Sequence, residues 1–426
     1  MKDETGLSRR KFLADVSAGA AALGLTRMGF AKGKPTNSRK PEPVSVAIIG
    51  IGFRGTHLLQ LSELIENIRV GALCDVFQPH LNRAKMIAGA SVPAYSDYRQ
   101  VLDRKDIDGV LIATPEHLHA SMALDALDAG KDVFCEKSMT HTLSETRQLI
   151  SAMKTSDRIL QIGLQWRFRG HNQKVVQLIK SGAIGRPLLF RGTMMARLPW
   201  YIHSSDDPKL NRLLNWRAYR EYTAGLVSEF GAHILDQVNW ILGNTSPARC
   251  AGFGGLDHWK NGRNTYDNIS LTYEYPNGER LALLSSGFDS HILVPLDIIG
   301  TEGSIALGGV AARLFRGRTH QRPAFERYVR AVETNIQMTT AIGSPSYRLD
   351  DTDSGDDSLQ IGSVRSEGQS DWGAFNQLVA FADSIQTRTK PLVDVNVGAR
   401  TAISALMGNE AIDHGRVASW PEQFEL

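Results

Sequence analysis

Residues 44–75 read VSVAIIGIGFRGTHLLQLSELIENIRVGALCD. Ser45-Val46-Ala47-Ile48-Ile49 is a short apolar run rich in β-branched residues, the pattern of a strand buried on both faces. Gly50-Ile51-Gly52-Phe53-Arg54-Gly55 follows at once, and Thr56 to Ile65 then has helical periodicity. A second apolar run, Val70 to Cys74, ends in Asp75, about 20 residues beyond the glycines, where a dinucleotide fingerprint places its acid. Each part has a mechanical task. Gly50 allows the tight turn, Gly52 lets backbone approach a pyrophosphate, and Gly55 lets helix pack on strand. The helix N-terminus offers free N–H groups and positive potential to phosphates, with Phe53 and Arg54 beside them. Asp75 can accept hydrogen bonds from a ribose 2′-hydroxyl, and its charge disfavours a 2′-phosphate, so NAD is expected ahead of NADP. Arg54 is the nearby cation that could reverse this choice.

Working outward, the chain of 426 residues fits two domains, and a net charge of +3 gives no polyanion-binding surface and no expected nucleic-acid partner. No run is long and apolar enough to span a membrane. The N-terminus reads as a targeting segment. Ser8-Arg9-Arg10-Lys11-Phe12-Leu13 resembles a twin-arginine export signal, a mildly apolar stretch runs from Leu13 to Leu25, and Gly29-Phe30-Ala31 is a small-x-small cleavage candidate. Residues 1–31 are therefore expected to be a signal peptide and 32–43 a polar linker, with the mature protein periplasmic or otherwise extracytoplasmic. Three scattered cysteines, Cys74, Cys135 and Cys250, form no disulfide framework. That suits a route that exports folded, cofactor-loaded proteins.

From Tyr98 to Gly163 the chain alternates helix and strand. Gly109 to Ala113 is a buried strand ending in Thr114-Pro115. Helix His119–Ala129 stops at Gly130. Val133-Phe134-Cys135 is a strand that leads into Glu136-Lys137. Helix Leu143–Lys154 has Ser144 as a plausible N-cap, and Ile159–Gly163 is a last strand. This alternation predicts a parallel sheet over residues 44–165, with ligands beyond the carboxyl ends of its strands. The second half changes period. Ile269–Tyr275 alternates, Pro276-Asn277-Gly278-Glu279 is a hairpin turn, and Arg280–Ser285 returns. Residues 166–426 are thus read as an α+β domain with a largely antiparallel sheet that includes Leu188–Thr193. The acidic stretch Asp350–Asp357 fails the spacing of a calcium loop and reads as a solvated loop.

Two places could carry chemistry. Lys137, at a strand's C-terminal end above the dinucleotide crevice, can reach a reacting hydroxyl; the plain alternative is a surface lysine. On the predicted helix Leu226–Leu242, Phe230, Ile234, Val238 and Ile241 share an apolar face, while Glu229, His233, Asp236 and Trp240 gather opposite. That second face is either solvated or a proton relay in which Glu229 orients the imidazole of His233. His117 and His119, near Thr114-Pro115, have no cysteine or acidic cluster to complete a metal site, so cofactor contact or a role at the helix N-terminus is the expectation there and no metal is expected. His203, His258 and His291 fall in loop-like stretches.

These residues resemble the Gfo/Idh/MocA oxidoreductase family from about Val44 to about Gly415. Gly50–Gly55 matches its fingerprint, Ala113-Thr114-Pro115-Glu116-His117-Leu118-His119 is similar to its loop after the fourth strand, and Cys135-Glu136-Lys137-Ser138 resembles its Glu-Lys-Pro motif. Glu229-Phe230-Gly231-Ala232-His233-Ile234-Leu235-Asp236 resembles its helix carrying an Asp and then a His one turn later. Ser138 replaces the usual Pro and Glu229 the usual Asp. The resemblance implies a Rossmann domain plus an α/β domain whose open sheet pairs subunits into a dimer or tetramer. It implies that Lys137 bonds the reacting hydroxyl, that His233 is the acid/base and that Glu229 assists. It places Glu136, Gln165, Trp216 and Arg217 near the cofactor, and Arg167, His233 and Asp236 near the substrate. The implied activity is NAD-dependent oxidation or reduction of a sugar or polyol on a tightly held nicotinamide. A second enzymatic reading is redox-neutral cleavage of a glycoside, by oxidation at C3, elimination, addition of water and reduction. A third is a non-catalytic NAD-dependent sensor.

Overall fold

The computed structural model describes residues 42–426 apart from 198, 202–204, 290–294, 310, 317–358 and 363–371. The export signal, its cleavage site, nearly all of the linker, His203, His291 and the acidic stretch Asp350–Asp357 lie outside the described residues. Among these, no helix is long and apolar enough to cross a membrane.

The chain from Val44 builds six parallel strands: β1 (Val44–Ile49), β2 (Ile68–Cys74), β3 (Ala94–Tyr95), β4 (Gly109–Ile112), β5 (Asp132–Glu136) and β6 (Leu160–Gly163). Their order is β3-β2-β1-β4-β5-β6. Helices α1 (Phe53–Ser62), α2 (Gln78–Ala88), α3 (Tyr98–Leu102), α4 (His119–Asp128) and α5 (Leu143–Thr155) connect them. Every residue of β1 is buried, as a central strand covered on both faces requires. Strand order reverses between β1 and β4, which opens a crevice at their carboxyl ends. Helix α5 is capped by Thr142 rather than Ser144. The Thr142 hydroxyl accepts the Glu145 N–H at 3.2 Å, and the Glu145 carboxylate accepts the Thr142 N–H at 2.9 Å. This reciprocal box satisfies two terminal donors and displaces the start signal from Ser144.

The second sheet has nine strands: β7 (Pro187–Met195), β8 (Arg249–Gly255), β9 (Asn268–Glu274), β10 (Arg280–Ser286), β11 (Leu296–Gly300), β12 (Gly303–Leu307), β13 (Ala311–Arg316), β14 (Leu359–Gly362) and β15 (Ala418–Ser419). Their order is β14-β13-β12-β11-β7-β10-β9-β8-β15. Among the described residues of this sheet only β7 and β10 pair in parallel; the other neighbours are antiparallel. The β9–β10 turn closes where expected, with the Tyr275 N–H donating to the Glu279 carbonyl at 2.8 Å and Gly278 at φ +86. One face packs against helices α6 (Gly170–Lys180), α8 (Ala232–Ile241) and α10 (Val395–His414), burying Leu271, Tyr273, Leu281, Leu283 and Ile298. The other face carries Leu189, Phe253, Leu284 and Ile299 exposed. A short helix α7 (Pro208–Leu214) crosses between β7 and α8.

Two expectations change here. The segment predicted as one amphipathic helix from Leu226 to Leu242 is a π-turn, Val227–Gly231, followed by α8, and neither face is wet. Residues 226–239 are all buried, because the second sheet covers one side, α10 another and the first domain the end. The split at residue 165 also misses a return. Helix α9 (Trp372–Thr387) places Leu378, Phe381 and Ile385 in the same core as Val46, Ile48 and Leu58. The Phe381 ring lies 5.9 Å from that of Phe134. The substrate half is therefore not one continuous run to residue 426.

Candidate active site

The glycine turn has the shape that a pyrophosphate needs. Gly50 has φ +87, and a Cβ there would press on the Ala113–Thr114 backbone at 2.8 Å. A Cβ at Gly55 would collide with the Gly50 carbonyl, which fixes α1 close on the turn. Gly52 faces open space, the nearest atom to its notional Cβ being His80 Cε1 at 4.0 Å. No side chain caps α1 and no acid lies in its first turn, so its terminal N–H groups stay available to an anion. The residues present thus fit a dinucleotide.

Two cavities meet at this turn. The narrower, about 230 Å³, runs from Gly50, Gly52 and Phe53 past Asp75 to Thr114 and Pro115. The wider, about 890 Å³, holds Arg54, His119, Glu136, Lys137, Gln165 and Glu229. Phe53, Trp216 and Arg217 line both. The Asp75 carboxylate accepts the backbone N–H of Ile51 at 2.6 Å and of Phe77 at 2.8 Å, and faces His80 Nδ1 at 3.1 Å. A carboxylate has about four acceptor positions, which leaves one for a ribose hydroxyl. Arg54 does not turn toward Asp75. Its Nε donates to Glu136 Oε1 at 2.7 Å, so the cation that could have received a 2′-phosphate is held elsewhere.

The wide cavity ends in a charged cluster. Lys137, just past β5, donates from Nζ to the Glu229 carbonyl at 3.1 Å and lies 3.5 Å from Glu229 Oε2. Arg217 Nε donates to the same Oε2 at 2.8 Å. Burial alone would raise the Glu229 carboxyl, but Lys137 and Arg217 together hold it down at about 2. The Lys137–Ser138 peptide is cis. His233 lies behind this cluster, its ring stacked on Trp166 at 5.0 Å, and its Nδ1 is buried without a hydrogen-bond partner among the described residues. Burial, then the cations Lys137, Arg169 and Arg54, hold its pKa well below the ordinary value. A neutral imidazole beside a lysine and a carboxylate can take a proton from a hydroxyl while the ammonium steadies the oxygen left behind.

The NAD-binding Rossmann model of the Gfo/Idh/MocA oxidoreductases matches residues 44–164, and the C-terminal domain model of the same family matches 172–306. The chain belongs to the Gfo/Idh/MocA family. It is 26% identical to an uncharacterised oxidoreductase of Bacillus subtilis over 76% of this chain and 93% of that one. It is 32% identical to inositol 2-dehydrogenase of Salmonella typhimurium, over 47% of this chain and 54% of the relative. A glycosyl hydrolase family 109 protein of Shewanella is 28% identical, over half of each chain. Among solved structures, levoglucosan dehydrogenase with NADH and levoglucosan superposes with a TM-score of 0.69, covering 89% of this chain and 100% of that one at 18% identity. An aldose–aldose oxidoreductase of Caulobacter crescentus gives 0.67 at 19% identity, with coverages of 89% and 100%. At such identities these two speak for the fold.

In this Gfo/Idh/MocA chain several expected placements differ. Glu229 does not orient His233; its carboxylate is taken up by Lys137 and Arg217, two cations that outcompete a neutral ring. His233 is not among the residues lining either cavity, and neither are Arg167 and Asp236. The last two bind each other, Arg167 Nε lying 2.9 and 3.0 Å from the two Asp236 oxygens, and both are about 1% exposed. His117 also lies off both cavities, packed on the Tyr222 ring at 5.0 Å. His119 does line the wide cavity, but its ring nitrogens face the carbonyls of Ser138 at 2.7 Å and Thr114 at 3.0 Å, so it ties the end of β4 to the end of β5. His258 stays apart, its ring between Trp259 and Phe288.

Sequence reasoning missed His80, Arg83 and Arg169 on the wide cavity and Glu116 beside it. His80 and Arg83 are three apart on α2, immediately after the fingerprint acid, and that spacing could have found them. Glu116 had no such signal. Its Oε2 accepts from Thr223 Oγ1 at 2.7 Å, the Ala224 N–H at 3.0 Å and Ser228 Oγ at 2.9 Å, pinning the loop after β4 to the π-turn that carries Glu229. Burial, then the charge of Glu229, pushes the Glu116 carboxyl from 4.5 up to about 7. A raised carboxyl pKa means that the folded chain holds a proton that the unfolded chain has released. Its favourable share of stability is therefore complete below pH 4.5 and lost as pH rises through about 7. Glu116→Gln should remove this decline, so that melting temperature from pH 5 to 7 falls less steeply than in the parent; superimposable slopes would contradict the assignment.

Proposed function

We propose that this protein oxidises or reduces a sugar or related polyol, using NAD that stays bound through turnover. The observation that carries the reading is the convergence of Lys137, Glu229 and Arg217 at the carboxyl end of β5, beside a partnerless His233 nitrogen and on the cavity shared with the glycine turn. When bound, the dinucleotide supplies the hydride acceptor, and the protein supplies position and proton handling. Lys137 holds the substrate oxygen and stabilises its developing charge. His233 takes the hydroxyl proton, its low pKa keeping it unprotonated and ready. Glu229 and Arg217 fix Lys137 in place. Polyols and sugars fit a wide cavity that is rich in hydrogen-bonding side chains.

Export, expected from Arg9-Arg10, would remove the enzyme from the cytoplasmic NAD pool, and a retained, internally recycled cofactor answers that. Similarity to a family 109 glycosyl hydrolase favours a second reading, redox-neutral glycoside cleavage. One experiment separates them. The mature protein, recovered from the periplasmic fraction, is mixed with a panel of sugars, polyols and glycosides, and nicotinamide absorbance is followed with and without excess NAD. Continuous NADH formation supports the dehydrogenase. Disappearance of a glycoside with no net change favours the second reading. Neither signal with any substrate, together with absence from the periplasm, would sink both the activity and the export.

A further inference from the structure

Resting on the reading of the narrow cavity as the dinucleotide site, we propose that residues 208–217, with Trp200 beside them, form a strap from the second domain. The strap closes over the adenosine half of the cofactor and makes its release slow. The first domain supplies one wall of this cavity through Ile49, Val76, Phe77, Tyr98 and Met122. The facing wall comes from Trp200, Leu213, Leu214 and Trp216. An apolar slot lined from both domains grips a purine face, and a ligand so enclosed leaves only when one wall moves.

The strap is built as a tethered lid. Helix α7 has seven residues, too few to persist on helix propensity, and none of them is buried. Polar contacts hold its flank instead. Asp207 Oδ1 accepts the Lys209 N–H at 2.9 Å, and Asn211 Nδ2 donates to the Tyr201 hydroxyl at 2.9 Å. Arg212 pairs with Glu221 and lies 3.7 Å over the Tyr219 ring. These tethers leave Leu213 and Leu214 on the cavity. The C-terminal end of the strap is tied to the charged cluster. The Arg217 guanidinium lies 4.1 Å over Trp216 and bonds Glu229, so a residue that lines both cavities is anchored where the chemistry is placed. Trp200 packs on Phe230, the neighbour of Glu229, at 5.3 Å.

The test is cofactor exchange, which reads binding rather than turnover. Mature protein loaded with ¹⁴C-labelled NAD is diluted into excess unlabelled NAD, and retained label is followed by filtration. The double variant Leu213→Ser/Leu214→Ser should release NAD roughly 10- to 100-fold faster than the parent, as loss of two apolar contacts implies. Arg212→Ala touches no cavity atom but loosens the tether, and should speed release several-fold. Circular dichroism melts establish that each variant folds. Folded variants that both release label at the parental rate would overturn the strap. A parent that takes up no labelled NAD would overturn the dinucleotide reading beneath it, a distinct result.

Discussion

Lys137→Met is expected to lower turnover by roughly 10²- to 10⁴-fold while bound NAD is retained, the range typical of losing a positioned acid/base or oxyanion partner. The Lys137 ammonium lines the wide cavity with Glu229, 3.5 Å from its carboxylate. Methionine keeps the volume and removes the only Lys137 group able to hold a substrate oxygen. Glu229 keeps Arg217 at 2.8 Å, so the cluster is weakened and not emptied. His233→Ala should lose turnover in the same range, through the proton rather than the oxyanion. The checks are kcat by nicotinamide absorbance and NAD content by acid release from the folded protein. Full turnover in both variants, with folding intact, would remove the proposed chemistry.

Asp236→Ala is expected to cost about 3–5 kcal/mol of stability, the usual price of breaking a buried ion pair by removing one partner. Arg167 would be left buried, with Asn244 Oδ1 at 3.0 Å and the Trp240 ring at 5.2 Å as its remaining company. Burial pushes the Asp236 carboxyl above its ordinary value even against Arg167, so neither charge is comfortable alone. Replacing both, as Arg167→Met/Asp236→Leu, should recover much of the loss, because two apolar groups need no partner. Urea unfolding midpoints of parent, single and double variants provide the comparison. A midpoint unchanged in Asp236→Ala, with KM for substrate raised instead, would return Asp236 to the substrate and refute the structural role.

The dinucleotide half was legible because its signals are local. A strand, a glycine turn, an uncapped helix and an acid lie within residues 44–75, and each answers to backbone sterics or hydrogen bonding over a few residues. Lys137 was legible because a strand's carboxyl end in a parallel sheet predicts where its next residue points. The helix face of Glu229, His233, Asp236 and Trp240 was only half legible. Periodicity puts these side chains on one side but does not say what covers that side. A neighbouring helix, a sheet and a domain boundary cover it, and they divide one apparent constellation into two. Glu229 goes to the charged end of the cavity, His233 sits behind it against Trp166, and Asp236 goes to Arg167 in the core.

The sequence by itself determined the Rossmann half, the period-two second sheet, the acid that closes the glycine fingerprint and the two residue types, lysine and histidine, that could move protons. These follow from spacing along the chain, and spacing is covalent. Only the tertiary structure decided which charges meet. Lys137 and Glu229 are 92 residues apart, Arg167 and Asp236 are 69 apart, and Glu116 reaches Ser228 across 112. The return of α9 to the first core and the placing of Leu213 and Leu214 on the cavity that Tyr98 also lines are of the same kind. A buried charge takes whichever partner the packed fold presents, since desolvation makes an unmatched one costly, and no local pattern records that choice.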